Sequence, residues 1–388
     1  MQQQVLLDQA GQIIDRTEQR PLQQHVTWLQ KCLIHMQLLD LNQQQSPENR
    51  CILEFHNNIA AALPGRLLLM DARQLSGPCS RNGVRPMKSL ISLSLLLTAV
   101  FFTATVAAND TIYKPFIVAS SGLGTLDEKT TSTRRALEDA GFEVYGQYSP
   151  VEGTNIVVVT NDELKQIAAM SDKGGYAAGQ RVSITEVGDT VEVSFVNPLY
   201  IQFGYRLEGD MQPVYEALVA SLGNVRSCGA GKKKMTAKKL GKFHYMMGMP
   251  YFDDPYELGS FASFEEAVAA VADGLAKDGD ALTQVYRIDI PGKQQTVFGV
   301  GMKMTNEDEK DIDSEYQMSI TDFEGCKKRA YFPYEILVDG QNVEALHMRF
   351  RMALHFPNLS MAGKHGFTKL MKAPGKTEDA FKNMIGTE

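Results

Sequence analysis

The sequence predicts an α+β protein built from two tandem pseudo-symmetric domains, each an antiparallel-rich sheet with helices on one face. Three observations predict it. Runs of β-branched and aromatic residues such as 155–159 and 190–196 recur at strand length. Amphipathic stretches such as 263–275 are interleaved with them. The order of elements that begins near residue 131 starts again near residue 263. At 388 residues and 44% apolar, the chain can form two or three domains with real cores. Its net charge of −7 argues against nucleic-acid binding that tracks phosphates, which needs a basic excess.

The first copy opens with a helix expected over 131–140 and stopped by Gly141, a residue that can adopt the left-handed cap. Strands follow at 142–148 and 155–159, and a helix starts at Asp162. Residues 181–187 and 190–196 flank Gly188-Asp189 and read as a β-hairpin. Asn197-Pro198 closes that hairpin, and a helix over 211–222 ends at Gly223.

The second copy opens with Ser263 and Glu266, a capping-box spacing, ahead of an apolar stripe through Val268, Val271 and Leu275. Strands are expected at 284–290, 296–302 and 334–338. A turn at Asp339-Gly340 then leads into one long alternating strand over 342–356, and a last helix spans about 378–385. Gly188-Asp189-Thr190 aligns with Gly340-Gln341-Asn342, and Asn197-Pro198-Leu199 with Pro357-Asn358-Leu359. Two such halves are expected to clasp as an intramolecular pseudo-dimer and bury their sheets along a shared seam.

Ala140-Gly141-Phe142-Glu143-Val144, Asn155 to Val159, Arg181 to Ile184 and Val193 to Pro198 together resemble the domain-of-unknown-function 302 family, in a long exported subtype with tandem copies. The resemblance extends to Lys242–Pro255 and Tyr286–Gly292 and covers roughly 111–388. It implies small α+β domains that pair, and it supplies no catalytic residue.

Upstream the chain reads differently. From Met87, one lysine, an apolar run over 90–102 and Val106-Ala107-Ala108 form the tripartite pattern of a secretory signal over 87–108. Export to the periplasm or beyond is expected; the alternative is a retained anchor that leaves 109–388 outside the cytoplasm. Residues 1–86 hold 14 Gln and the only Trp, and are read as a mis-called upstream extension, not as a globular domain. Downstream lie a first repeat domain (109–225), a lysine- and Met-rich linker (226–262) and a second repeat domain (263–388). Residues 109–388 carry 30 Lys and Arg against 39 Asp and Glu, a net of −9. They retain Cys228 and Cys326, for which a disulfide is one reading and two thiols the other.

All four histidines after residue 108 have a methionine within four positions. His244, Met246, Met247 and Met249 in the linker form the sharpest group, of a type that suits copper. In the 342–356 strand, alternation places His347, Arg349, Arg351 and His355 on one face as a cationic strip. Such a strip could bind a small anion or hold the propionates of a haem. Met348 and Met352, on the opposite face, read as core. Lys232, Lys233, Lys234, Lys238, Lys239 and Lys242 read as a solvated linker helix or as a peripheral contact with an anionic membrane. No nucleophile, dinucleotide or calcium-loop pattern assembles. The sequence thus points to an exported, non-enzymatic protein that binds a metal, haem or small anion, or else to an envelope interaction module without a ligand.

Overall fold

Strand β4 (Thr154–Thr160) and strand β11 (Gln295–Met302) are buried at every position. Strands covered on one face only would alternate, so each must lie in a sheet that is covered on both faces. The computed structural model describes residues 111–387 except 278, 280 and 324. The signal and upstream segments expected over 1–108 lie outside the described residues. The described residues fall within one compact unit.

The first sheet contains β2 (Phe116–Gly122), β3 (Glu143–Tyr148), β4, β5 (Gln180–Val187), β6 (Thr190–Val196) and β7 (Arg226–Cys228), ordered β3-β4-β5-β6-β2-β7 and antiparallel throughout. The second contains β9 (Tyr256–Ser260), β10 (Leu282–Asp289), β11, β12 (Tyr334–Asp339) and β13 (Asn342–Ala345), ordered β10-β11-β12-β13-β9. The second order repeats the first strand for strand, apart from β7. The hairpins turn on Gly188 (φ +59°) and Gly340 (φ +58°), a conformation that L side chains rarely adopt. A small pair, β1 (Ile112–Tyr113) with β8 (Met235–Thr236), ties the start of the described chain to the linker.

Helices cover the outer face of each sheet. In the first half these are α1 (Leu126–Asp139) and α4 (Gln212–Leu222), which contribute Leu137, Val214 and Leu218 to the core. Helix α1 starts earlier than expected because Thr125 and Glu128 form a capping box. Helix α2 (Asp162–Met170) is capped by Asn161, and α3 (Pro198–Gly204) follows β6. In the second half α6 (Phe264–Lys277) and α9 (Ala373–Ile385) pack together, while α7 (Ser314–Thr321) fills the link from β11 to β12.

Two expectations are corrected. The stretch 342–356 is not one strand: β13 ends at Ala345, and α8 (Met348–His355) follows. All its residues but Arg349 are buried, and a helix buried all round shows no polar face by which to recognise it. Consequently α8, not Pro357-Asn358, is the counterpart of the Asn197-Pro198 region. Asn197 and His347 each cap the helix that follows by accepting from the backbone N–H two residues on. The linker is no continuous helix either, since only α5 (Ala237–Leu240) forms a single turn after β8.

The inner faces carry the side chains that meet. Tyr200 on α3 donates to the Leu354 carbonyl on α8 at 2.7 Å. At the crossing of those helices, a Cβ on Gly204 would come within 2.9 Å of Leu354. Edge strands β3 and β10 also abut, each carrying a bulge there. A Cβ on Gly146 would sit 2.2 Å from the Val285 carbonyl oxygen. Cys228 on β7 is disulfide-bonded to Cys326, across 98 residues of sequence.

Candidate functional site

Because β-strand side chains alternate, Val182 and Ile184 of β5 enter the apolar core, while Arg181 faces the second half. Glu335 on β12 faces back, and the two form an ion pair. Helical spacing puts Arg351 and His355 on one face of α8, four residues apart. Arg351 Nε donates to the second Glu335 oxygen at 2.8 Å, and its Nη2 donates to the Tyr331 and Pro333 carbonyls. The Arg351 guanidinium also stacks on the Tyr331 and Tyr334 rings, 4.1 and 4.5 Å from their centroids.

His355 is held in one tautomer by its partners. Its Nδ1–H donates to the Arg351 carbonyl at 2.9 Å, which leaves Nε2 to accept from Arg181 Nη2 at 3.2 Å. Burial, reinforced by the two arginines, pushes its pKa well below the ordinary histidine value. The imidazole is therefore neutral, and two guanidiniums share one carboxylate.

Arg181, Glu335, Arg351 and His355 are all at most 3% exposed, so this cationic excess sits away from water. Burial and the charge of Arg351 lower the pKa of Arg181. Arg181 Nε and Arg351 Nη1 find no acceptor in good geometry, and neither do the hydroxyls of Tyr148, Tyr205 and Tyr331 find such a partner. Tyr205 and Tyr331 nonetheless lie close enough to the guanidiniums to favour their charged forms.

The structure breaks up the cationic strip expected from strand alternation. Arg351 and His355 enter the seam between the sheets. His347 caps α8 and stacks on Tyr256, 4.3 Å between ring centroids. Arg349 points elsewhere and lines a cavity of about 20 Å³ with Tyr245, Met249 and Met352. That space is far too small for a haem. Met348 and Met352 are buried, as core residues would be.

The linker group does not converge on a metal-binding geometry. His244 Nδ1 is engaged by the Met246 carbonyl at 2.8 Å, and its ring lies on Tyr251. Met246 and Met247 are exposed, whereas Met249 turns to the small cavity. Among the described residues no group of three His, Cys, Asp or Glu could hold a metal ion.

Sequence reasoning missed Arg181, Glu335, Tyr205 and Tyr331. A signal was present: Arg181 and Glu335 are charges set inside strands that are otherwise β-branched or apolar.

Two histidines, His355 buried and His347 partly so, give this protein an acid-sensitive stability. An unfolded histidine titrates near 6.5, whereas His355 stays neutral in the fold, and burial, with Arg349 nearby, pushes His347 down to about 4. Above pH 6.5 both states are neutral and no stability is lost. Below it the unfolded chain takes up protons that the fold refuses, so stability falls by about 1.4 kcal/mol per pH unit for the fully buried His355, and by less for the partly exposed His347, whose charge water screens. Urea unfolding at pH 7.5 and 5.5 should show that loss, and His355→Gln should remove its own share of the slope.

Fold and site together define an α+β protein with a buried arginine–glutamate–histidine cluster between two sheets of matching strand order. No family model matches the chain, and neither a curated protein nor a solved structure does. Among the described residues no helix is long and apolar enough to cross a membrane.

Proposed function

We propose that the chain is an exported, non-enzymatic binding protein for a small monovalent anion, held where its two halves meet. One observation carries this reading: Arg181 and Arg351 are buried against a single carboxylate, and one guanidinium nitrogen of each has no well-aligned acceptor, with only a neutral tyrosine hydroxyl within reach. A buried unpaired charge costs several kcal/mol, and an anion between these donors would remove that cost. Arginine suits the task because its fork presents donors to planar or spherical anions while staying charged. The neutral His355 and the tyrosine hydroxyls add polarity without competing charge. Copper and haem are less well supported, since the His and Met candidates are dispersed.

The signal pattern over 87–108 and the Cys228–Cys326 disulfide support an oxidising, extracytoplasmic location. The matching strand orders support a duplicated unit of the kind implied by the resemblance to the domain-of-unknown-function 302 family. That family supplies no catalytic group, and the cluster contains no activated nucleophile.

Thermal unfolding in chloride, bromide, nitrate and formate at fixed ionic strength tests the reading. A bound anion stabilises by about 2.7 kcal/mol at one hundred times its dissociation constant, so the midpoint should rise with one or more of these anions. In bromide-soaked crystals an anomalous peak should lie between Arg181 and Arg351. A midpoint that follows ionic strength alone, with no such peak, overturns the proposal.

A further inference from the structure

The linker gathers Lys232, Lys233, Lys234, Lys238, Lys239 and Lys242 on the surface, all exposed. The ion pairs made by lysines among the described residues involve other positions, so none of these six pairs with a carboxylate among the described residues. This is a concentrated basic face on a polypeptide whose residues 109–388 carry a net charge of −9. Lys238, Lys239 and Lys242, with Phe243, border an open groove of about 760 Å³.

Apolar side chains project beside the same lysines. Met247 is 94% exposed and Met246 45%, in the loop that follows Lys242. Ile112, 47% exposed, pairs in register with Thr236 at the start of the lysine-bearing turn. Protruding methionine and isoleucine beside lysine make the amphipathic surface that enters a lipid interface: the charges attract headgroups and the apolar tips insert between them. An acidic protein partner would use the charges but gives no reason for the tips.

We infer that this lysine–methionine face docks the protein on an anionic membrane surface. The lysines supply long-range attraction that salt weakens, and Met246 and Met247 supply shallow insertion. This docking is independent of the anion held between the sheets, whose residues lie elsewhere.

The test places a fluorescent reporter at the tip. A chain carrying Met247→Trp with Trp28→Phe is mixed with vesicles of phosphatidylglycerol and phosphatidylcholine, or of phosphatidylcholine alone. The tryptophan emission should shift to the blue with the anionic vesicles only, and the shift should fall in 0.5 M salt. Adding Lys238→Glu, Lys239→Glu and Lys242→Glu should weaken partitioning by about 100-fold or more, at about fivefold per lysine. Because all three lysines are exposed, an unchanged unfolding midpoint serves as the control for folding. Equal shifts on both kinds of vesicle, no shift on either, or partitioning that ignores the lysine changes overturns the inference. So does binding to an acidic protein such as polyglutamate without binding to the anionic vesicles.

Discussion

Glu335→Gln should cost about 3–5 kcal/mol of folding stability, the penalty for breaking a buried ion pair by removing one partner. The size follows from the stoichiometry. Glu335 is the only carboxylate paired with Arg181 or Arg351 among the described residues, and it binds one with each oxygen. Glutamine keeps the shape but leaves two neighbouring guanidiniums without a carboxylate from the protein. Removing Arg181 as well should return part of the loss, so Arg181→Met with Glu335→Gln should be less destabilised than the sum of the single changes by about 0.5–3 kcal/mol. Urea unfolding of the four forms measures this. Strict additivity would mean that the three groups do not act as one cluster.

Breaking the disulfide should have a comparable effect by a different route. Cys228 and Cys326 close a loop of 98 residues, and a constraint of that length removes about 4–5 kcal/mol of chain entropy from the unfolded state. Nearby contacts, including Arg226 Nη2 with Glu192 at 3.2 Å and with the Gly325 carbonyl at 2.9 Å, remain available without the bond. Cys228→Ser, Cys326→Ser and the double change should therefore lower the urea midpoint by the same amount while leaving the native far-ultraviolet spectrum unchanged. A double variant as stable as the parent would show that the bond constrains nothing.

The parts legible in the sequence are those governed by local chemistry. The 180–187 and 190–196 hairpin was readable because β-branched residues flank a two-residue turn, and its glycine adopts the positive φ that such a turn requires. Gly223 ends α4 as expected, also with positive φ. What stayed illegible was set by tertiary burial. Met348 to His355 alternates in polarity like a strand, yet it lies in a pocket that covers the helix almost all round, and packing overrides the pattern. Strand β9 was missed because Tyr256–Ser260 is short and includes a glycine, and it exists through pairing with β13. The site was half legible. Arg351 and His355 were singled out, but as strand neighbours of Arg349 and His347, when it is the helical repeat that groups them. Their partners, Arg181 and Glu335, come from strands 154 residues apart, a proximity that no local pattern encodes.

The abutment of β3 and β10 has a consequence for how this protein could be cut or assembled. Gly146 lets one backbone come up to the other, so at this point each border strand is shielded by the other half, while the charges of Glu143 on β3 and of Arg287 and Asp289 on β10 lie away from the bulges. A fragment holding a single sheet would therefore expose the flank that the other half covers, and a first-sheet fragment would also leave Arg181 without its carboxylate. It would be driven to recruit its missing complement or to stick to itself, which makes the two sheets together, and neither alone, the unit expected to fold.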